Sequence, residues 1–168
     1  MRVFLLAVVL LVTAGCSPSL PSAMPDDFTA TVEYETGSLP PRYRYEWRLT
    51  LTVTEATVSW KPGYDKSTPP WTTTVPVTRE ARATFYDRLR SSGGLQASSS
   101  NSDGMTGGST GSVHATVDGE TYDSAELGLS RDSRGLLETV EDAAKDLVPA
   151  SVWADFDRKQ DEWGKSQP

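Results

Sequence analysis

Residues 43–54 read YRYEWRLTLTVT, and the fold class turns on them. Tyr43, Tyr45, Trp47, Leu49, Leu51 and Val53 alternate with Arg44, Glu46, Arg48 and three threonines, unbroken over twelve residues. Successive side chains of a strand point to opposite faces, so a period of two marks a strand with one face on a core and the other in water. Upstream, Phe28, Ala30, Val32 and Tyr34 alternate with Thr29, Thr31, Glu33 and Glu35 in the same way, until residues 37–41 (GSLPP) break the pattern. Downstream, a turn near Glu55 leads to a return strand through Val58 and Trp60, which Pro62-Gly63 ends. Trp71, Thr73, Val75 and Val77 resume the alternation. Pro76 has no N–H to give to a ladder, so this strand belongs at a sheet edge.

Beyond it the period changes. Thr78 is placed to cap a helix over residues 79–90, with Ala81, Phe85 and Leu89 on one face. Residues 91–112 offer only Leu95, Ala97 and Met105 as apolar side chains, too few to offset the entropy of ordering, so a flexible Ser/Gly loop is expected there. Val113, Ala115 and Val117 then lead into Asp118-Gly119, a pair suited to a two-residue type I′ turn, and residues 120–125 return as the second arm of a hairpin. Leu136, Val140, Ala143, Ala144 and Leu147 give a helical period over 133–148, which Pro149 closes. Pro149 also opens a short C-terminal helix, with Val152, Phe156 and Trp163 on one face, before a polar tail at 157–168. Hairpin-length connections dominate and parallel crossovers have little room. The expectation is an α+β fold, an antiparallel sheet of about five to six strands with two main helices and the short third one, forming a single domain over 28–156.

The first residues read differently from the rest. Met1-Arg2 gives a positive start, residues 3–12 (VFLLAVVLLV) form an unbroken apolar run of ten, and Thr13-Ala14-Gly15-Cys16 follows. A ten-residue helix rises only about 15 Å, half the hydrocarbon thickness of a bilayer, which argues for an export signal rather than a span. The string VTAGC resembles the lipobox of bacterial lipoproteins, with Thr13 where that family usually carries Leu, Val or Ile. The resemblance implies that residues 1–15 are a signal peptide and that Cys16 becomes the diacylglyceryl-bearing N-terminus, a lipid anchor on the extracytoplasmic face of a membrane. Two acyl chains hold a protein durably where one binds marginally. Residues 16–27 then form the lipidated Cys and a Pro/Ser-rich tether. Its segment 17–27 (SPSLPSAMPDD) has three prolines and no period, a semi-extended spacer reaching at most about 35–40 Å.

Composition bounds the chemistry. Of 168 residues, 153 remain after the first fifteen, enough for one core and too few for two. Sixteen basic side chains face 23 acidic ones and the net charge is −7, so the attraction to phosphate on which nucleic-acid binding rests is missing. Charge is uneven: residues 42–90 hold nine basic and five acidic side chains, and 103–168 hold six and fourteen, as two solvated surfaces of opposite sign that meet within the domain or as a polarity for docking. One Cys and one His exclude an internal disulfide and any metal site built on several such ligands, and no cofactor motif is present.

Individual candidates are few. Gly107-Gly108-Ser109-Thr110-Gly111 spells G-x-S-x-G, but it lacks the strand before, the helix after and a downstream acid-then-His order, so no catalytic Ser109 is expected. Asn101-Ser102-Asp103-Gly104 lacks the remaining oxygen ligands of a calcium loop, and Gly164-Lys165-Ser166 lacks the rest of a phosphate loop. His114 is the exception. A two-residue turn at Asp118-Gly119 puts it opposite Asp123, a cross-strand pair that serves acid–base work in some proteins and plain sheet pairing in most.

Eight of the fifteen aromatic rings fall between Phe28 and Trp71. Rings at alternate strand positions normally pack as core, and those of Tyr43, Tyr45, Trp47, Trp60 and Trp71 that stay exposed are the candidate binding set. The expected function is a non-enzymatic binding module of the cell envelope, attached to a membrane by lipid and taking an envelope protein or glycan. The order of elements is loosely similar to that of emfourins, small inhibitors of metalloproteases, with no shared motif, and this resemblance implies protease inhibition as an alternative. A small hydrolase using carboxylates or the His114/Asp123 pair is the other.

Overall fold

The computed structural model describes residues 19–64, 66–97 and 107–167. Six strands form one sheet among them: β1 (Thr29–Glu35), β2 (Tyr45–Leu51), β3 (Glu55–Pro62), β4 (Trp71–Pro76), β5 (Thr110–Val117) and β6 (Glu120–Asp123). Their order is β4-β3-β2-β1-β5-β6, and each neighbouring pair is antiparallel. Three helices, α1 (Arg79–Ser92), α2 (Arg131–Leu147) and α3 (Ala150–Lys165), complete the α+β fold. As Pro76 requires, β4 is an edge strand.

The odd-numbered positions of β5, those of β2 from Trp47 on and the even-numbered ones of β1 and β3 are buried, among them Trp47, Leu49, Val113, Val32 and Val58. They share one core cluster with Phe85 and Leu89 of α1, Leu137 and Val140 of α2, and Trp153 and Phe156 of α3. All three helices therefore cover the same face. Burying an apolar side chain of this size is worth about 1.5–3 kcal/mol, so this one-sided layer holds the fold together. Local signals set the helix ends. The Thr78 side chain accepts from the Ala81 amide at the start of α1, and left-handed Gly93 closes it. Ser130 and Ser133 form a reciprocal cap on α2.

Four expectations need correction. The alternation over 43–54 overruns the strand at both ends: Tyr43 ends a short 3₁₀ turn (Pro41–Tyr43), and Val53 sits in the β2–β3 turn. Both are about half exposed, and at Val53 the Thr52 hydroxyl accepts from the Thr54 and Glu55 amides and turns the chain before the side chain can face inward. The helix after Pro149 is not short, and residues 157–165 of the expected polar tail are its last turns. Its buried side there is made by Gln160 and Gly164, which no apolar period reveals.

The expected loop 91–112 is shorter at both margins, since α1 runs to Ser92, Leu95 is buried and β5 starts at Thr110; its centre, 98–106, lies outside the described residues, as does Cys16. Finally, residues 19–27 are not a free spacer. Leu20 and Met24 pack on the core, and the Tyr86 hydroxyl donates to the Pro21 carbonyl at 2.7 Å. Buried Arg82 donates to the carbonyls of Asp26 and Phe28.

Candidate functional site: the uncovered face of the sheet

With the three helices on one side, no described helix covers the other side of the sheet, and the period of two decides what stands on it. Cross-strand register lines up Thr74, Thr57, Thr50, Thr31, His114 and Asp123 in one row across all six strands. The next row runs Thr72, Ser59, Arg48, Glu33 and Ser112, and the one after it Lys61, Glu46, Glu35 and Thr110. Hydroxyls thus fill one end of the face and charges the other. β-Branched Thr suits a strand, and its hydroxyl suits water.

Two hollows open on this face. The larger, about 600 Å³, is lined by Glu33, Glu35, Glu46 and Glu126 against Arg48 and Lys61, with Ser59, Ser112 and His114. The smaller, about 340 Å³, lies at the hydroxyl end between Thr29, Thr31, Thr50, Thr52, Thr116 and Thr121, and His114 lines it too. The single histidine of the chain therefore stands where the charged and hydroxyl halves meet.

Ion pairs brace the charged half. Arg48 meets Glu33 at 2.5 Å. The Arg44 side chain, 9% exposed, reaches Glu35 at 2.8 Å and Glu46 at 3.4 Å through one nitrogen and lies over the Tyr64 ring at 5.2 Å. Its other terminal nitrogen is buried with no hydrogen-bond partner among the described residues. The two carboxylates and the Tyr64 ring hold the Arg44 guanidinium in place.

The cross-strand pair forms as the turn dictates. Asp118 (φ 54°) and Gly119 (φ 77°) both take positive φ, as a type I′ turn needs, and His114 Nδ1 lies 2.7 Å from Asp123 Oδ1. A carboxylate accepts, so Nδ1 carries the proton, and Nε2 is left facing Ser112 Oγ at 3.4 Å. Asp123, His114 and Ser112 thus stand in the order that relays a proton to and from a hydroxyl. Acyl transfer also needs donors for an oxyanion. The amides of β5 lie in the sheet plane and serve ladders and loops on either side, as Gly111 does with Leu127 and Val113 with Ser124, so they do not rise toward the open face. Ser109 is elsewhere, its hydroxyl accepting from the Tyr34 phenol at 3.0 Å.

Of the five candidate aromatics, the structure buries Trp47 and Trp60 in the core beneath the helices and packs half-buried Tyr45 against it. Tyr45 stacks on Trp60 at 4.2 Å, Trp47 on Tyr34 at 5.3 Å, and Trp60 on Phe156 at 5.7 Å. Trp71 is half-buried opposite Trp60 on the edge strand. Only Tyr43 presents its ring, with the Arg42 guanidinium 4.5 Å above it. Sequence reasoning missed Tyr64, equally exposed, whose hydroxyl donates to the Leu39 carbonyl. Among the described residues no group of three His, Cys, Asp or Glu side chains is placed to hold a metal ion. The chain matches no protein-family model and no curated protein.

Proposed function

We propose that this protein is a lipid-anchored binding module of the cell envelope and that the uncovered sheet face is its ligand surface. The observation that carries this reading is a six-stranded face that no helix covers among the described residues, hollowed along its length and lined by hydroxyls and charges. Protein interfaces draw most of their energy from buried aromatic and arginine anchors at their centre. Thr31, Thr50 and His114 hold the centre here, with no apolar anchor beside them. Such a surface suits a ligand that is itself hydroxyl-rich, and an envelope glycan is the first choice. The anchor rests on the VTAGC string, and Cys16→Ser should release the protein from membranes.

The test is binding of solubilised envelope glycan to the immobilised protein. Thr50→Arg projects a long cation over the middle of the face without touching the core, and His114→Ala removes the side chain shared by both hollows. Each should weaken binding by about tenfold, equivalent to about 1.4 kcal/mol. Undiminished binding by both variants would move the site off this face. The Asp123–His114–Ser112 line favours one second reading, a hydrolase with Ser112 as nucleophile. Covalent labelling of the parent, but not of Ser112→Ala, by a fluorophosphonate would establish it.

A further inference from the structure

A free spacer ahead of β1 would let the domain stand clear of a membrane, whereas residues 19–27 are docked on the domain itself. Leu20 and Met24 enter the core, and the Asp26 carboxylate meets Arg79 at 2.7 Å. The Asp27 carboxylate accepts the amides of Asp118 and Gly119 at 3.0 and 2.6 Å, joining the segment to the β5–β6 turn. Only Ser17, Pro18 and Ser19 separate Leu20 from Cys16, a reach of at most about 14 Å.

We propose that residues 19–27 act as a strap that seats one end of the domain against a lipid bilayer. The membrane-facing surface is made by the strap, the adjoining flank of α1 from Arg79 to Tyr86, and the Asp118–Gly119 turn. This rests on the anchoring of Cys16 proposed above. The charged hollow lies at the other end of the strands: from Thr29 to Glu35, β1 carries it about 20 Å away from the strap. The exposed side chains of Leu39, Tyr43 and Tyr64 sit at that far end too. A ligand would be met on the side away from the lipid.

Surface charge does not supply the attachment. Asp26, Asp27, Glu80, Asp118 and Glu120 are exposed on the seated end, where Arg79 is the one exposed cation among the described residues, so anionic headgroups repel it. Acyl chains and the strap hold it instead, and orientation should persist in salt that screens surface charges.

The experiment uses the lipidated full chain, reconstituted in phosphatidylethanolamine/phosphatidylglycerol liposomes. A fluorophore is placed on Glu120→Cys at the seated end or on Ser38→Cys at the far end, and some lipids carry a headgroup nitroxide quencher. Quenching should be severalfold stronger at 120 than at 38, and Asp27→Asn with Tyr86→Phe, or Asp27→Asn alone, should shrink the difference. Equal quenching at both positions in the parent, with the protein floating with the liposomes, overturns the inference and leaves the anchor standing. A protein that carries no acyl groups by mass spectrometry and does not float removes the anchoring reading, and the inference with it.

Discussion

At the scale of single residues, the small side chains carry information that hydrophobicity hides. Gly111 stands in β5 where a Cβ would lie 2.5 Å from the Glu33 carbonyl oxygen and 2.8 Å from Leu137 of α2. Neither neighbour can retreat cheaply, since one is backbone in the central ladder and the other a core side chain. Gly111→Ala should therefore cost about 1–3 kcal/mol, as overpacked cores do, and urea denaturation would register it. An unchanged midpoint would mean that α2 does not press on the sheet there. Gly111 was visible in the sequence only as part of a Ser/Gly tract. Its role arises from β1 and α2, which lie 78 and 26 residues away at Glu33 and Leu137.

Elements show how far local pattern reaches. The hairpin register was legible because Asp118-Gly119 allows one turn geometry, and that geometry sets His114 against Asp123. The last turns of α3 were not legible. Asp155, Arg158, Lys159 and Glu162 pair along the exposed side of this helix and look like a solvated tail. The opposite side works through a polar residue. Gln160 accepts from the Trp60 indole at 3.1 Å and donates to the carbonyls of Arg42 and Arg44. A chain ending at Asp157 should lose about 2–4 kcal/mol, because it strands the buried indole N–H and bares Trp60. Equilibrium unfolding by tryptophan fluorescence would measure it, and parent-like stability would restore the reading of 157–168 as a tail.

At the scale of the whole molecule, an ion pair joins the two segments of opposite charge. Arg88 of α1 pairs with Asp146 of α2 at 2.5 Å, which accounts for part of the imbalance without a docking partner. The one-sided core also sets the response to alkali. Burial pushes the phenols of Tyr34, Tyr45 and Tyr86 above their ordinary value of about 10. Unfolding restores the ordinary value, so the unfolded chain loses these protons first. The stabilisation is present below about pH 10 and is lost as pH rises toward the folded-state values. Absorbance titration near 295 nm should show three of the six tyrosines ionising late, together with loss of native structure. Ionisation of all six near the ordinary value with the fold intact would contradict their burial.

By itself the sequence determined the strands, the edge position of β4, the hairpin register and the Thr78 cap of α1, because each depends on neighbours within a few residues. Tertiary structure alone decided that all three helices share one face, that the other face is open, that α3 continues through polar turns and that residues 19–27 are docked. Those outcomes depend on where distant surfaces meet. An alternating strand states that it has two faces, and only packing states which of them is covered.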